Sequence, residues 1–143
     1  MMCNRLLVRD MRSGYTLFMY KVRVEAEFSA AHFLSRYRGK CEKLHGHNYK
    51  VRIWVRGTAL DSGGMLADFS VLKKVLKEVL APLDHSNLND MEVFRNDPSA
   101  ERIARFVFEA VKEKLPEAGA DSGLLWAVDV FETATSMARY EPD

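Results

Sequence analysis

The sequence has only two cysteines, Cys3 in an irregular terminus and Cys41 beside histidines, so no disulfide framework holds it together and a reducing cytoplasm suits it. It also lacks a dominant charge. Lysine plus arginine number 21 against 20 acidic residues, and a net charge of +1 offers no electrostatic reason for a nucleic-acid or membrane partner. Long apolar runs are missing too: Arg5, Arg9, Asp10 and Arg12 interrupt the first segment before it could serve as a signal peptide or a span. There are no internal repeats and no low-complexity stretches. With 143 residues, 48% of them apolar, the chain reads as one ordinary domain able to bury a core without staples. Regular patterning starts only at Tyr20, so residues 1–18 read as a dispensable extension and 19–143 as the domain.

What is present is strongly patterned. In "YKVRVEAEF", Val22, Val24, Ala26 and Phe28 alternate with Lys21, Arg23, Glu25 and Glu27, the period of a half-buried strand. "NYKVRIWVRG" repeats this, with Tyr49, Val51, Ile53 and Val55 on one face and Lys50, Arg52, Trp54 and Arg56 on the other. The two predict an antiparallel pair. "SVLKKVLKEVLAPL" has Val71, Leu72, Val75, Leu76, Val79 and Leu80 at helical spacing, with Asp68 or Ser70 as cap and Pro82 as stop. A second helix is predicted after Asp97 as N-cap and Pro98 as first residue, with Ile103, Val107, Val111 and Leu115 on one stripe. "GLLWAVDVFETATSMARYEP" predicts two further strands joined near Thr133 and Ala134. The predicted fold is α+β in the order β-β-α-α-β-β, a four-stranded antiparallel sheet with two helices on one face. The other face, carrying Trp54, must meet solvent or another subunit.

All four histidines flank these elements. His45 and His47, two apart in an extended segment, point to one side and can converge on one ion, while Gly46 lets the backbone pass close. His32, ending the strand expected beside theirs, is placed to add a third imidazole. Three nitrogens with a fourth position open is the arrangement of a catalytic zinc site. Cys41 has three readings: a small buried hydrophobe, a fourth ligand that closes a structural site, or a base beside the metal. Asp84 can hold the ring of His85 in one tautomer, or the pair simply forms a helix-ending turn. Glu132 closes the apolar run "LLWAVDVF", where a carboxylate needs a partner such as a pair of ring N–H groups unless it sits at an exposed strand end.

"FSAAHFL", "CEKLHGHNYKV", "MLADFSVLK", "LDHSNLN", "PSAERIA" and "FETATSMARY" stand in the order seen in the 6-pyruvoyl-tetrahydropterin and 6-carboxytetrahydropterin synthases, and over about residues 19 to 142 the sequence resembles that family. The resemblance implies a tunnelling fold whose β-β-α-α-β-β unit forms trimers, usually stacked as hexamers, with active sites at subunit interfaces. It implies zinc held by His32, His45 and His47, Cys41 as proton acceptor, Asp84 and His85 as a catalytic dyad, and Glu132 as the anchor of the pterin ring. Ser99 stands where many relatives have threonine; the hydroxyl is kept, and with it a contact to the pterin. Three residues separate Cys41 from His45, the spacing of the bacterial carboxy enzymes rather than the five of animal pyruvoyl enzymes. Similarity therefore implies the queuosine-pathway lyase that converts 7,8-dihydroneopterin triphosphate to 6-carboxy-5,6,7,8-tetrahydropterin, releasing acetaldehyde and triphosphate. Two alternatives stand beside it: a pyruvoyl-type synthase that does not cleave the side chain, and a non-enzymatic, zinc-stapled oligomerisation module.

Overall fold

The structure is a computed structural model and describes residues 7–10, 14–39, 43–95 and 97–143. A short antiparallel ribbon comes first, β1 (Leu7–Asp10) with β2 (Gly14–Leu17), inside the segment that shows no patterning in the sequence. The main sheet is built on β3 (Tyr20–His32) and β4 (His45–Gly57). They pair in register over their full lengths, from Tyr20 opposite Gly57 to His32 opposite His45. Both strands therefore run several residues past the alternating stretches, up to the histidines themselves. Small side chains at Ser29, Ala30 and Ala31 opposite Asn48, His47 and Gly46 let the ladder continue where no apolar pattern demands it.

Helix α1 (Phe69–Leu80) begins as predicted at Asp68, whose carboxylate accepts the Ser70 N–H at 2.8 Å. Its stripe of Leu72, Val75, Leu76, Val79 and Leu80 is buried, and the helix stops ahead of Pro82. Helix α2 (Ala100–Lys114) corrects the predicted start: Ser99 is the N-cap, accepting the Arg102 N–H at 3.3 Å, and Pro98 lies outside the helix. Asp97 is otherwise engaged, accepting the Ser35 N–H and hydroxyl at 3.0 and 2.8 Å. A cap contributes about 1 kcal/mol, and two bonds to a carboxylate contribute more, so the long-range partner wins. The buried stripe of Ile103, Val107, Val111 and Leu115 is as predicted.

Strands β6 (Leu125–Thr133) and β7 (Ser136–Tyr140) complete the expected set, with β6 antiparallel to β4. The sheet has five strands rather than four, in the order β5-β3-β4-β6-β7, because β5 (Ser86–Asn87) pairs in parallel with Ala30 and Ala31. Two residues are too few to show a period. Both helices cover one face of the sheet, where Phe28 stacks on Tyr49 with ring centroids 4.7 Å apart. No helix among the described residues is long and apolar enough to cross a membrane.

The other face carries Trp54 and Trp126 amid arginines, organised around Asp129, which is 2% exposed. Asp129 accepts from Trp54 Nε1 at 2.7 Å and from Arg139 Nε and Nη2 at 2.7 and 3.0 Å. Its one local signal is the same as that of Glu132: an aspartate inside "LLWAVDVF" needs a partner.

Candidate metal centre

The full-length register of β3 and β4 brings His32, His45 and His47 to one end of the sheet on its helix-covered side. Their ring nitrogens include a set lying within 4.8 Å of one another. His32 is 1% exposed; His45 and His47 are half-buried. Gly46 is not forced on the chain by space, since a Cβ there would lie an ordinary 3.6 Å from the Ala30 carbonyl. That departs from the close approach expected of it.

Hydrogen bonding sets the tautomers. His32 Nδ1 lies 2.8 Å from the Pro98 carbonyl and His45 Nδ1 lies 2.7 Å from the Lys43 carbonyl. A carbonyl only accepts, so each Nδ1 carries the proton and donates, and each neutral ring presents a lone pair at Nε2. Those two Nε2 atoms are 3.0 Å apart. Two lone pairs at that distance repel unless a proton or a cation lies between them. His47 Nε2 points to the same conclusion, being buried without a hydrogen-bond partner among the described residues. An orphaned buried polar atom costs about 1 to 3 kcal/mol, which the fold tolerates where function needs it. Among the described residues, these three donors make a set that could hold a metal ion and that is consistent with zinc.

Burial pushes the pKa of His32 below its ordinary 6.5, against the opposing pull of the Pro98 carbonyl and the Glu132 carboxylate. His47 is lowered for the same leading reason, with Glu132 again opposing. Both shifts favour the neutral, ligating form. Because these pKa values are depressed, the unfolded chain binds more protons just below pH 6.5, so this stability is present above 6.5 and is lost as pH falls through the folded values. Urea unfolding of metal-free protein should therefore show stability falling as the pH drops below about 6.5; a flat profile would contradict it.

The remaining predicted residues divide. Glu132 is half-buried, with Oε1 3.8 Å from His32 Nε2, and it lines a cleft with Ser99, Leu34, Ser136 and Met137. The two residues assigned to the pterin thus face one cleft beside the triad. Asp84 and His85 do form a pair, Oδ2 to Nδ1 at 2.9 Å, but the His85 side chain is 84% exposed. The Ser29 N–H, donating to Asp84 Oδ1 at 2.9 Å, leads in holding that carboxyl below its ordinary range, with His85 second. His85 has a left-handed backbone, φ 56°, and its N–H bonds the Ser29 carbonyl at 2.6 Å, so it turns outward at the β3 edge. It shares a shallow groove with His47 and Asn48. Cys41 lies outside the described residues.

A family model described as 6-pyruvoyl tetrahydropterin synthase matches residues 21–143. The chain belongs to the 6-pyruvoyl tetrahydropterin synthase family. Among curated relatives of this family, the 6-carboxy-5,6,7,8-tetrahydropterin synthase of Synechocystis sp. is 41% identical over 127 residues, covering 85% of this chain and 93% of the relative. The protein of the same name from Bacillus subtilis is 37% identical, covering 87% of each. Among solved structures, the Caenorhabditis elegans 6-pyruvoyl tetrahydropterin synthase superposes with a TM-score of 0.76 at 29% identity, covering 87% of this chain and 96% of that one. The architecture is accordingly the tunnelling fold of the tetrahydropterin synthases.

Proposed function

We propose that the protein is a cytoplasmic, zinc-dependent carbon–carbon lyase of queuosine biosynthesis, converting 7,8-dihydroneopterin triphosphate and water to 6-carboxy-5,6,7,8-tetrahydropterin, acetaldehyde and triphosphate. The observation that carries this reading is the convergence of three imidazoles, two with Nδ1 tied to carbonyls and the third with an orphaned Nε2. The relatives named as 6-carboxy synthases, and the three-residue gap between Cys41 and His45, favour this product. His32, His45 and His47 would hold the zinc, which when bound polarises the hydroxylated side chain of the substrate.

The protein's own groups would do the rest. Cys41 is assigned as the base; an ordinary thiol has a pKa of about 8.5, so the cation and imidazoles near the triad are what would favour its thiolate. Asp84 holds the Nδ1–H of His85, leaving Nε2 free to pass a proton to or from the substrate side chain. Glu132 accepts two ring N–H groups of the pterin, and the Ser99 hydroxyl borders the same cleft.

The His85 ring faces solvent, which supports a site completed between copies of the chain. So do the sheet edges: β7 and the outer side of β3 before Ser29 have no strand partner among the described residues. Trimers, or hexamers of stacked trimers, would pair those edges and cover the Trp54 face.

Zinc-loaded protein incubated with 7,8-dihydroneopterin triphosphate should release acetaldehyde and the carboxypterin, both identifiable by mass, and Cys41→Ala should abolish turnover while zinc stays bound. Triphosphate release without acetaldehyde would favour the pyruvoyl-type reaction, which the family model's description and the C. elegans neighbour support. Loss of zinc together with activity in C41A would move the thiol into the coordination sphere.

A further inference from the structure

Residues 84–89 run alongside the end of β3 almost residue for residue. Asp84 and His85 bond the Ser29 backbone, and Ser86 and Asn87 pair with Ala30 and Ala31. Backbone pairing stops there because residues 88–90 tighten into a 3₁₀ turn, with Asn87 Oδ1 accepting the Asn89 N–H at 3.1 Å. The Asn89 side chain then takes over from the backbone. Its Oδ1 accepts the Phe33 N–H at 2.8 Å, and its Nδ2 donates to the Phe33 carbonyl at 2.9 Å. A carboxamide is suited to this because it offers an acceptor and a donor in one plane, as a neighbouring strand would.

Phe33 is the residue after His32, and Asn89 is 6% exposed. We propose that Asn89 is a positioning residue of the metal centre: its carboxamide clamps the backbone at Phe33, fixes the attachment of His32, and locks the triad in register with the segment carrying Asp84 and His85. This rests on reading His32, His45 and His47 as metal ligands. The Pro98 carbonyl orients the His32 ring from its far nitrogen, while Asn89 fixes the backbone from which the ring springs. Both are needed to keep Nε2 aimed at the other two rings.

Asn89→Ala should weaken zinc binding about 10- to 100-fold in a chelator competition, the usual cost of losing a partner that orients a ligand. The d–d bands of the cobalt-substituted protein should shift in position or intensity. Val111→Ala, a core change in α2, should lower the melting temperature yet leave the cobalt spectrum as in the parent protein. Wild-type affinity and spectrum in N89A would overturn the proposal. Should N89A not fold, hydrogen exchange in the unmodified protein decides: zinc should slow exchange of the Phe33 amide about tenfold or more, and an unchanged rate with zinc bound would overturn the clamp. Failure of the unmodified protein to bind zinc at all would instead sink the metal reading on which the proposal stands.

Discussion

Replacing His47 with leucine will stabilise the metal-free protein and abolish zinc binding and turnover together. The two effects have one cause. His47 Nε2 is buried and unpaired among the described residues, so the metal-free fold bears the desolvation of a polar atom that makes no hydrogen bond. A side chain of similar volume without polar atoms removes that cost, about 1 kcal/mol or more. It also leaves only two imidazoles, so zinc affinity should fall by more than the 10- to 100-fold typical of losing a mere orienting partner. Thermal melts with excess chelator, set beside zinc titrations, measure both quantities. A variant that melts lower than the parent without metal, or that still holds zinc tightly, would refute this account of His47. His32→Leu is no substitute, because the Nδ1–H of His32 is bonded to the Pro98 carbonyl and its loss would orphan that acceptor.

Asp129→Ala should be the most destabilising single change on the uncovered face. Asp129 is 2% exposed and lies between Arg52 and Arg139 in the strand register. Deleting its carboxylate removes the Trp54 bond and both Arg139 bonds at once. Breaking a buried pair by removing one member costs about 3 to 5 kcal/mol. The Arg139 side chain is 34% exposed and can recover water, which places the expected loss at the low end, about 3 kcal/mol, or a fall of about 10 °C in melting temperature. Asp129→Asn, which keeps an acceptor for Trp54, should lose less. Zinc affinity should hardly change, because Asp129 faces away from the helix-covered side that carries the triad. A loss below about 1 kcal/mol in chemical denaturation would mean that solvent had been supporting this network all along.

Much of the architecture was legible because it is written in local periods. Alternation over Tyr20–Phe28 marked a strand, and the 3.6-residue stripes of α1 and α2 marked helices whose buried faces are those predicted save for Val71, which is half-buried. The triad was legible for a related reason: a two-residue spacing in an extended segment puts His45 and His47 on one side whatever they pair with. Other features had no local signature. Asp97 reads as a cap by its position before Pro98, yet Ser35, 62 residues away, takes its carboxylate. Asn89 reads as an ordinary turn former, yet it closes against Phe33 across 56 residues. His85 reads as a partner for Asp84, which it is, but only the fold turns its ring to solvent.

Spacing and side-chain period along the chain therefore decided by themselves the four long strands and the two helices, their apolar faces, and that His45 and His47 share one side. The tertiary structure alone decided how far β3 and β4 pair, which nitrogen of His32 and His45 carries the proton, and what holds the end of β3. The reason is physical: a period depends on the backbone geometry of neighbours, whereas a tautomer or a clamp depends on which distant carbonyl packing brings within about 3 Å.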